Sequence, residues 1–113
     1  MSRRASAAAR KAPPAPIFAA LGDETRLALI EKLSDGAPCS IAQLTQGTDL
    51  TRQAVTKHLR VLEGVNIVRG VRSGRETLFQ LDLAPIRAVR DYADVVSAQW
   101  DQALARLKAF VEE

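Results

Sequence analysis

The chain is poor in the residues on which most chemistry depends. Among its 113 residues it has one cysteine, one histidine, one tryptophan and one tyrosine. Cys39 is alone, so no intramolecular disulfide is possible, which suits a reducing compartment. No glycine-rich phosphate loop, no G-x-S-x-G elbow and no Cys/His cluster is present, so an enzyme is not expected. Aromatic residues make up 4%, and the core must therefore be aliphatic. No apolar run is long enough to span a bilayer. Arg3 and Arg4 imitate the charged start of a signal peptide, but Ala5–Ala9 is too short and too weakly apolar to follow it. A cytoplasmic location, without membrane contact, is expected.

What the chain does have is unevenly placed positive charge. The net charge is +3. Residues 1–16 carry Arg3, Arg4, Arg10 and Lys11 with no acids, in a low-complexity Ala/Pro stretch that reads as a disordered tail. Pro13, Pro14 and Pro16 oppose helix there. Residues 49–75 carry Arg52, Lys57, Arg60, Arg69, Arg72 and Arg75 against Asp49 and Glu63. The segments between and after are net acidic. Such localisation argues for a polyanionic partner better than overall basicity does.

Residues 17–113 fit one small domain. Ile17–Leu21 reads as a short helix ended by Gly22. Asp23 can cap a second helix to about Ser34, with Leu27, Ile30 and Leu33 inward and Asp35-Gly36 closing it. A third helix starts at Ser40, where Ser40 and Gln43 form a capping-box pattern, and Ile41 and Leu44 face the core. Residues 46–49, QGTD, make the turn. Thr51 caps a fourth helix that ends near Gly64. Two short helices around a glycine-containing turn form a helix-turn-helix unit.

The fourth helix has Val55, Leu59 and Leu62 on one face. Gln53, Thr56, Lys57 and Arg60 lie on the other at i, i+3, i+4 and i+7. Residues 67–73 and 76–82 read as a hairpin packed through Ile67, Val71, Leu78 or Leu81, with Arg72, Ser73 and Arg75 at its tip. A polar helix face followed by a basic hairpin suggests a winged helix that reads duplex DNA. Gln53, Thr56 and Lys57 would reach base edges or nearby phosphates, and Thr51, Arg52 and Arg60 would hold the backbone. Arg72, Ser73 and Arg75 would touch phosphates or the adjacent minor groove.

Pro85 starts a long last helix, about 85–111. Ile86, Val89, Ala93, Val96, Trp100, Ala103, Leu107 and Phe110 keep an unbroken 3-4 spacing, and Leu104 and Val111 widen the stripe. This seam is longer than so small a domain covers by itself. The simplest partner is the same helix of a second subunit, and the alternative is packing back on Ile17–Leu21 and the second helix.

With these pieces in place the chain resembles the ArsR-type winged-helix repressors of bacteria. FAALGDETRLALIEKL (18–33), the run AVTKHLRVLE (54–63), the wing GRETLFQL (74–81) and the terminal QWDQALARLKAFVEE (99–113) carry the resemblance, in order and at matching spacing. It implies a mainly α fold with a small β-hairpin. It also implies a homodimer through the terminal helices, with Ile17, Phe18 and Leu21 joining Val89, Ala93, Val96, Trp100, Leu104, Leu107 and Phe110. Repression relieved by a signal is implied too. The family's metal sites do not carry over. Ser40 and Ala42 stand where one type has its Cys-x-Cys pair, and the last helix has Asp91 and Asp94 but no histidine. Zn²⁺ needs about four suitable ligands, so no metal or cofactor is expected and the effector is not readable.

Several residues have a bland and a sharp reading. His58, on the inward side of the fourth helix, reads as a packed, hydrogen-bonded group. Cys39, at a helix start, reads as inert against a redox switch. Trp100 reads as dimer core against effector pocket. Arg69 can pair with Glu63. A protein-interaction module and a sequence-blind DNA binder are the competing functions.

Overall fold

The computed structural model describes residues 15–112, which include two compact units, Ala15–Ile86 and the greater part of the last helix from Arg87 onward. The first unit has helices α1 (Ala15–Leu21), α2 (Glu24–Lys32), α3 (Ile41–Thr45) and α4 (Arg52–Gly64). Strands β1 (Cys39–Ser40), β2 (Val68–Ser73) and β3 (Glu76–Leu81) complete it. Helix α5 (Leu83–Glu112) follows. The tail expected over residues 1–16 lies outside the described residues as far as position 14. Ala15 and Pro16, assigned to that tail, belong instead to α1. Pro16 sits in the first turn, where its missing N–H has no helical partner to lose.

The local punctuation follows side-chain chemistry. Asp23 caps α2 by accepting from the Arg26 backbone N–H at 3.0 Å. At α3 the capping box is complete: Ser40 Oγ accepts from Gln43 N at 3.1 Å and Gln43 Oε1 accepts from Ser40 N at 2.8 Å. Thr51 Oγ1 accepts from Ala54 N at the start of α4. The end of α4 is a Schellman arrangement, with Ile67 N donating to Leu62 O at 2.9 Å and Asn66 N to Glu63 O at 3.0 Å. Its left-handed residue is Asn66, at φ 64°, and not Gly64. Helix α5 begins two residues before Pro85, because Asp82 Oδ1 accepts from Ala84 N at 3.0 Å and tolerates a proline in the first turn.

The core of the first unit is aliphatic apart from Phe79. Leu33, Val55, Leu59, Leu62 and Ile67 are fully buried, joined by Ala20, Leu29, Leu44, Val68 and Phe79. Each large side chain contributes about 1.5–3 kcal/mol by leaving water. Two inward assignments are corrected. In α2, Leu29 is buried and Leu27 is 48% exposed. Residues 27–30 are all apolar, so the pattern does not fix the rotation of the helix. In the hairpin, Val68 and Phe79 fill the core while Val71 is exposed, since alternation puts Val71 on the face opposite Val68.

The sheet has three strands, in the order β1-β3-β2, where a hairpin alone was expected. The addition is the two-residue β1, antiparallel to β3 with Cys39 opposite Phe79 and Ser40 opposite Leu78. Strand β2 pairs with β3 from Val68↔Leu81 to Ser73↔Glu76. The wing thereby closes on the two-residue turn Gly74-Arg75, with Gly74 at φ 62°.

Helix α5 has 30 residues and none of them is buried. Trp100, Leu104, Leu107, Phe110 and Val111 are all more than half exposed.

Candidate nucleic-acid interface

Helix α4 is held in place by contacts outside itself. Lys32, at the end of α2, donates from Nζ to Leu44 O at 3.0 Å and to Gln46 O at 3.2 Å. It thus satisfies carbonyls left over at the end of α3 and ties α2 to the helix-turn-helix turn. In the turn, Gly47 takes φ 80°. Thr48 Oγ1 donates to Thr45 O at 2.6 Å and accepts from Leu50 N at 3.2 Å. The buried face of α4, with Val55, Leu59 and Leu62, then fixes which side chains point outward.

On the outward face, Arg52, Gln53, Lys57 and Arg60 are exposed and Thr56 is half-buried. Their hydrogen-bonding capacity differs. The side chains of Arg52, Gln53 and Lys57 make no hydrogen bond or ion pair among the described residues. Arg60 pairs with Glu63 at 3.2 Å on an open surface, an interaction weak enough to exchange for another anion. Two of the proposed donors are engaged. Thr56 Oγ1 donates to Arg52 O at 2.7 Å, and Thr51 Oγ1 is the helix cap. Thr56 thereby offers only acceptor lone pairs outward, which suits a base amino group better than a phosphate, whereas Thr51 Oγ1 accepts from Ala54 N and keeps its O–H to donate.

The wing carries Arg72, Ser73 and Arg75, all exposed. Arg72 Nε donates to Gly74 O at 3.1 Å, folding the side chain over its own turn and leaving its terminal nitrogens available. Arg75 has no side-chain partner among the described residues. Arg69 does not pair with Glu63, which takes Arg60 instead. Strand alternation puts Arg69 on the opposite face from Gly70, the residue that lies under Glu63.

Three positioning residues escaped the sequence reading. At Gly70 an added Cβ would lie 3.1 Å from Thr77 Cγ2, 3.3 Å from Phe79 Cε1 and 3.5 Å from Glu63 Oε2. The absence of a side chain leaves room for Thr77 and Phe79 of the paired strand β3, with Glu63 of α4 at ordinary contact distance, and a glycine inside a strand is the sequence sign of such crowding. Lys32 is the second. Arg26 is the third: Nε donates to Ala20 O at 2.6 Å, Nη2 to Ala19 O at 3.4 Å, and Nη1 lies 3.2 Å from His58 Nδ1. His58 also lies 4.0 Å from Asp23 Oδ1. The Asp23 carboxyl is held below its ordinary pKa, mainly by the Arg26 backbone N–H, with partial desolvation opposing and the Arg26 guanidinium charge assisting. His58 therefore is the hydrogen-bonded packing group expected of it.

The helix-turn-helix domain family matches residues 21–71, which run from the end of α1 to the middle of β2. The HTH-type transcriptional regulator Rv2034 of Mycobacterium tuberculosis (strain ATCC 25618 / H37Rv) is 33% identical over 91 residues, 80% of this chain and 81% of the relative. The structure of an ArsR-like transcriptional regulator from Rhodococcus sp. RHA1 superposes with TM-score 0.74 at 34% identity, over 86% of this chain and 91% of that one. The chain belongs to the ArsR family of winged helix-turn-helix regulators. This ArsR-family protein is a DNA-binding transcriptional regulator, in a family of regulators and not enzymes. The homodimeric winged helix-turn-helix DNA-binding domain Mb0332 from Mycobacterium bovis shares the fold, with TM-score 0.59 at 19% identity over 94% of this chain and 92% of that one. No helix among the described residues of the ArsR-family chain is long and apolar enough to cross a membrane.

Proposed function

We propose that the protein is a repressor that binds a two-fold operator as a homodimer, one α4 per half-site. The observation that carries this is the joint exposure of unpartnered Gln53 and Lys57 on α4 and Arg75 on the wing that follows it. Gln53, Lys57 and the acceptor oxygen of Thr56 read base edges. Thr51, Arg52 and Arg60 sit along the backbone, with Arg60 exchanging Glu63 for a phosphate. Arg72, Ser73 and Arg75 reach the flanking phosphates or minor groove. The apolar face of α5, through Val89, Ala93, Val96, Trp100, Leu104, Leu107 and Phe110, pairs with its copy, and Ile17, Phe18 and Leu21 of α1 extend the contact. A dimer bound over a promoter represses by excluding polymerase. It is released in the cytoplasm by an effector that favours a dimer geometry mismatched to the half-site spacing.

The test is a panel of operator duplexes changed one base pair at a time. Gln53→Ala should flatten the preference at one position per half-site by about 1–3 kcal/mol. Arg75→Ala should weaken every duplex alike and reduce the salt slope by about one. An unchanged ranking in Gln53→Ala would remove its base-reading role.

A further inference from the structure

We infer that Thr56 makes the protein read one base pair per half-site by amino against keto group, favouring adenine or cytosine over guanine or thymine on the strand it faces. The inference rests on the reading of α4 as the helix that enters the major groove. What carries it is the direction of one hydrogen bond, which a helical wheel does not show. Thr56 Oγ1 lies 2.7 Å from Arg52 O.

A carbonyl oxygen only accepts, so the hydroxyl hydrogen of Thr56 is committed to the backbone. A helical threonine has two χ1 rotamers open to it, and this contact selects the one that turns Oγ1 back toward residue 52. What Oγ1 has left is acceptor capacity. Thr51 is the opposite case: its Oγ1 accepts from Ala54 N at 3.0 Å and its O–H remains to donate. The two threonines at the start of α4 therefore call for different partners. Thr51 suits a phosphate oxygen. Thr56 needs a donor, which a phosphate does not offer. It stands one turn after Gln53 and next to Lys57, half-buried on the flank of the outward face.

In the major groove the donors are the adenine N6 and cytosine N4 amino groups, while guanine O6 and thymine O4 accept. Every base pair carries one amino and one keto group. A side chain that only accepts therefore senses which way round the pair stands, and not whether it is A·T or G·C. It takes A·T and C·G and rejects T·A and G·C. The neighbouring base readers give other patterns. Lys57 only donates and favours guanine, and Gln53, with a donor and an acceptor, selects adenine. Thr56 could donate to a keto oxygen only by releasing Arg52 O, and the cost of that exchange sets the discrimination.

The experiment ranks the four bases at every position of a duplex enriched by the full chain from a random pool. The wild type, Thr56→Val and Thr56→Ser are compared. Valine matches threonine in shape and removes the oxygen, and the helix ladder still occupies Arg52 O. The wild type should show one position per half-site where A and C bind alike and G and T bind about tenfold more weakly, the scale of a hydrogen bond replaced by two facing acceptors. This reading needs no variant to fold. Thr56→Val should bind all four alike there and keep its rankings elsewhere. Thr56→Ser, which keeps the hydroxyl, should retain the pattern. Exchanging the adenine at that position for purine, which lacks the amino group, should weaken the wild type more than Thr56→Val, since any cost in base pairing is common to both. A thymine preference at that position, an amino–keto pattern that survives in Thr56→Val, or no such position in an otherwise specific wild type would each overturn the inference. Rankings untouched by Gln53→Ala and Lys57→Ala together would instead take α4 out of the groove and the inference with it, a distinguishable failure.

Discussion

At the scale of single residues, the interface depends on which polar atoms are already spent. Thr51 and Thr56 look equivalent to Gln53 and Lys57 on a helical wheel. The structure separates them, because both hydroxyls already serve the backbone of α4. The same accounting applies to Asp23, whose carboxylate caps α2. Its pKa is lowered in the folded state. The cap therefore contributes fully above the unfolded carboxyl value of about 3.9 and is lost as pH falls through the lower folded value. Asparagine caps without titrating. The Tm advantage of the wild type over Asp23→Asn should shrink as pH falls through the carboxylate range, followed by circular dichroism. An advantage that persists down to pH 2 would mean the carboxylate is not the stabilising form.

At the scale of elements, the ends of α4 decide its length and pose. Its C-terminal stop is Asn66 in the left-handed region. Glycine should be accepted there, while Asn66→Val should cost about 1–2 kcal/mol in urea unfolding, from the steric penalty on a β-branched residue at positive φ. Equal stability of the two variants would exclude a cap that depends on that conformation. These ends also show what was legible in the sequence. The caps at Asp23, Ser40-Gln43 and Thr51 were readable because donor and acceptor lie three residues apart. The buried stripe of α4 was readable because its apolar positions keep a clean period. Strand β1 was not, since two residues show no alternation. Nor was the choice of Leu29 over Leu27, inside a continuous apolar run. The Arg26–His58 and Lys32–Leu44 contacts join residues 32 and 12 positions apart, and no local pattern encodes such pairs.

At the scale of the whole molecule, two features demand partners. One is the basic face of α4 and the wing. The other is the apolar stripe of α5, with Trp100 at 64%, Leu107 at 60% and Phe110 at 75% exposure. Exposed apolar stripes of this extent mark association surfaces. Leu107→Glu places a charge within that stripe. Sedimentation should show a dimer for the wild type and a monomer for the variant, with operator affinity lowered as the two half-sites uncouple. A wild type that is monomeric at micromolar concentration, free and on DNA, would remove the dimer. The reading of an operator is tested most directly by selecting bound duplexes from a random pool and measuring the enriched sequence against its shuffled copy across a salt series. A two-fold symmetric site preferred by about 10³ or more at physiological salt is the expected result. No enriched sequence, with equal affinities that collapse together as salt rises, would contradict it.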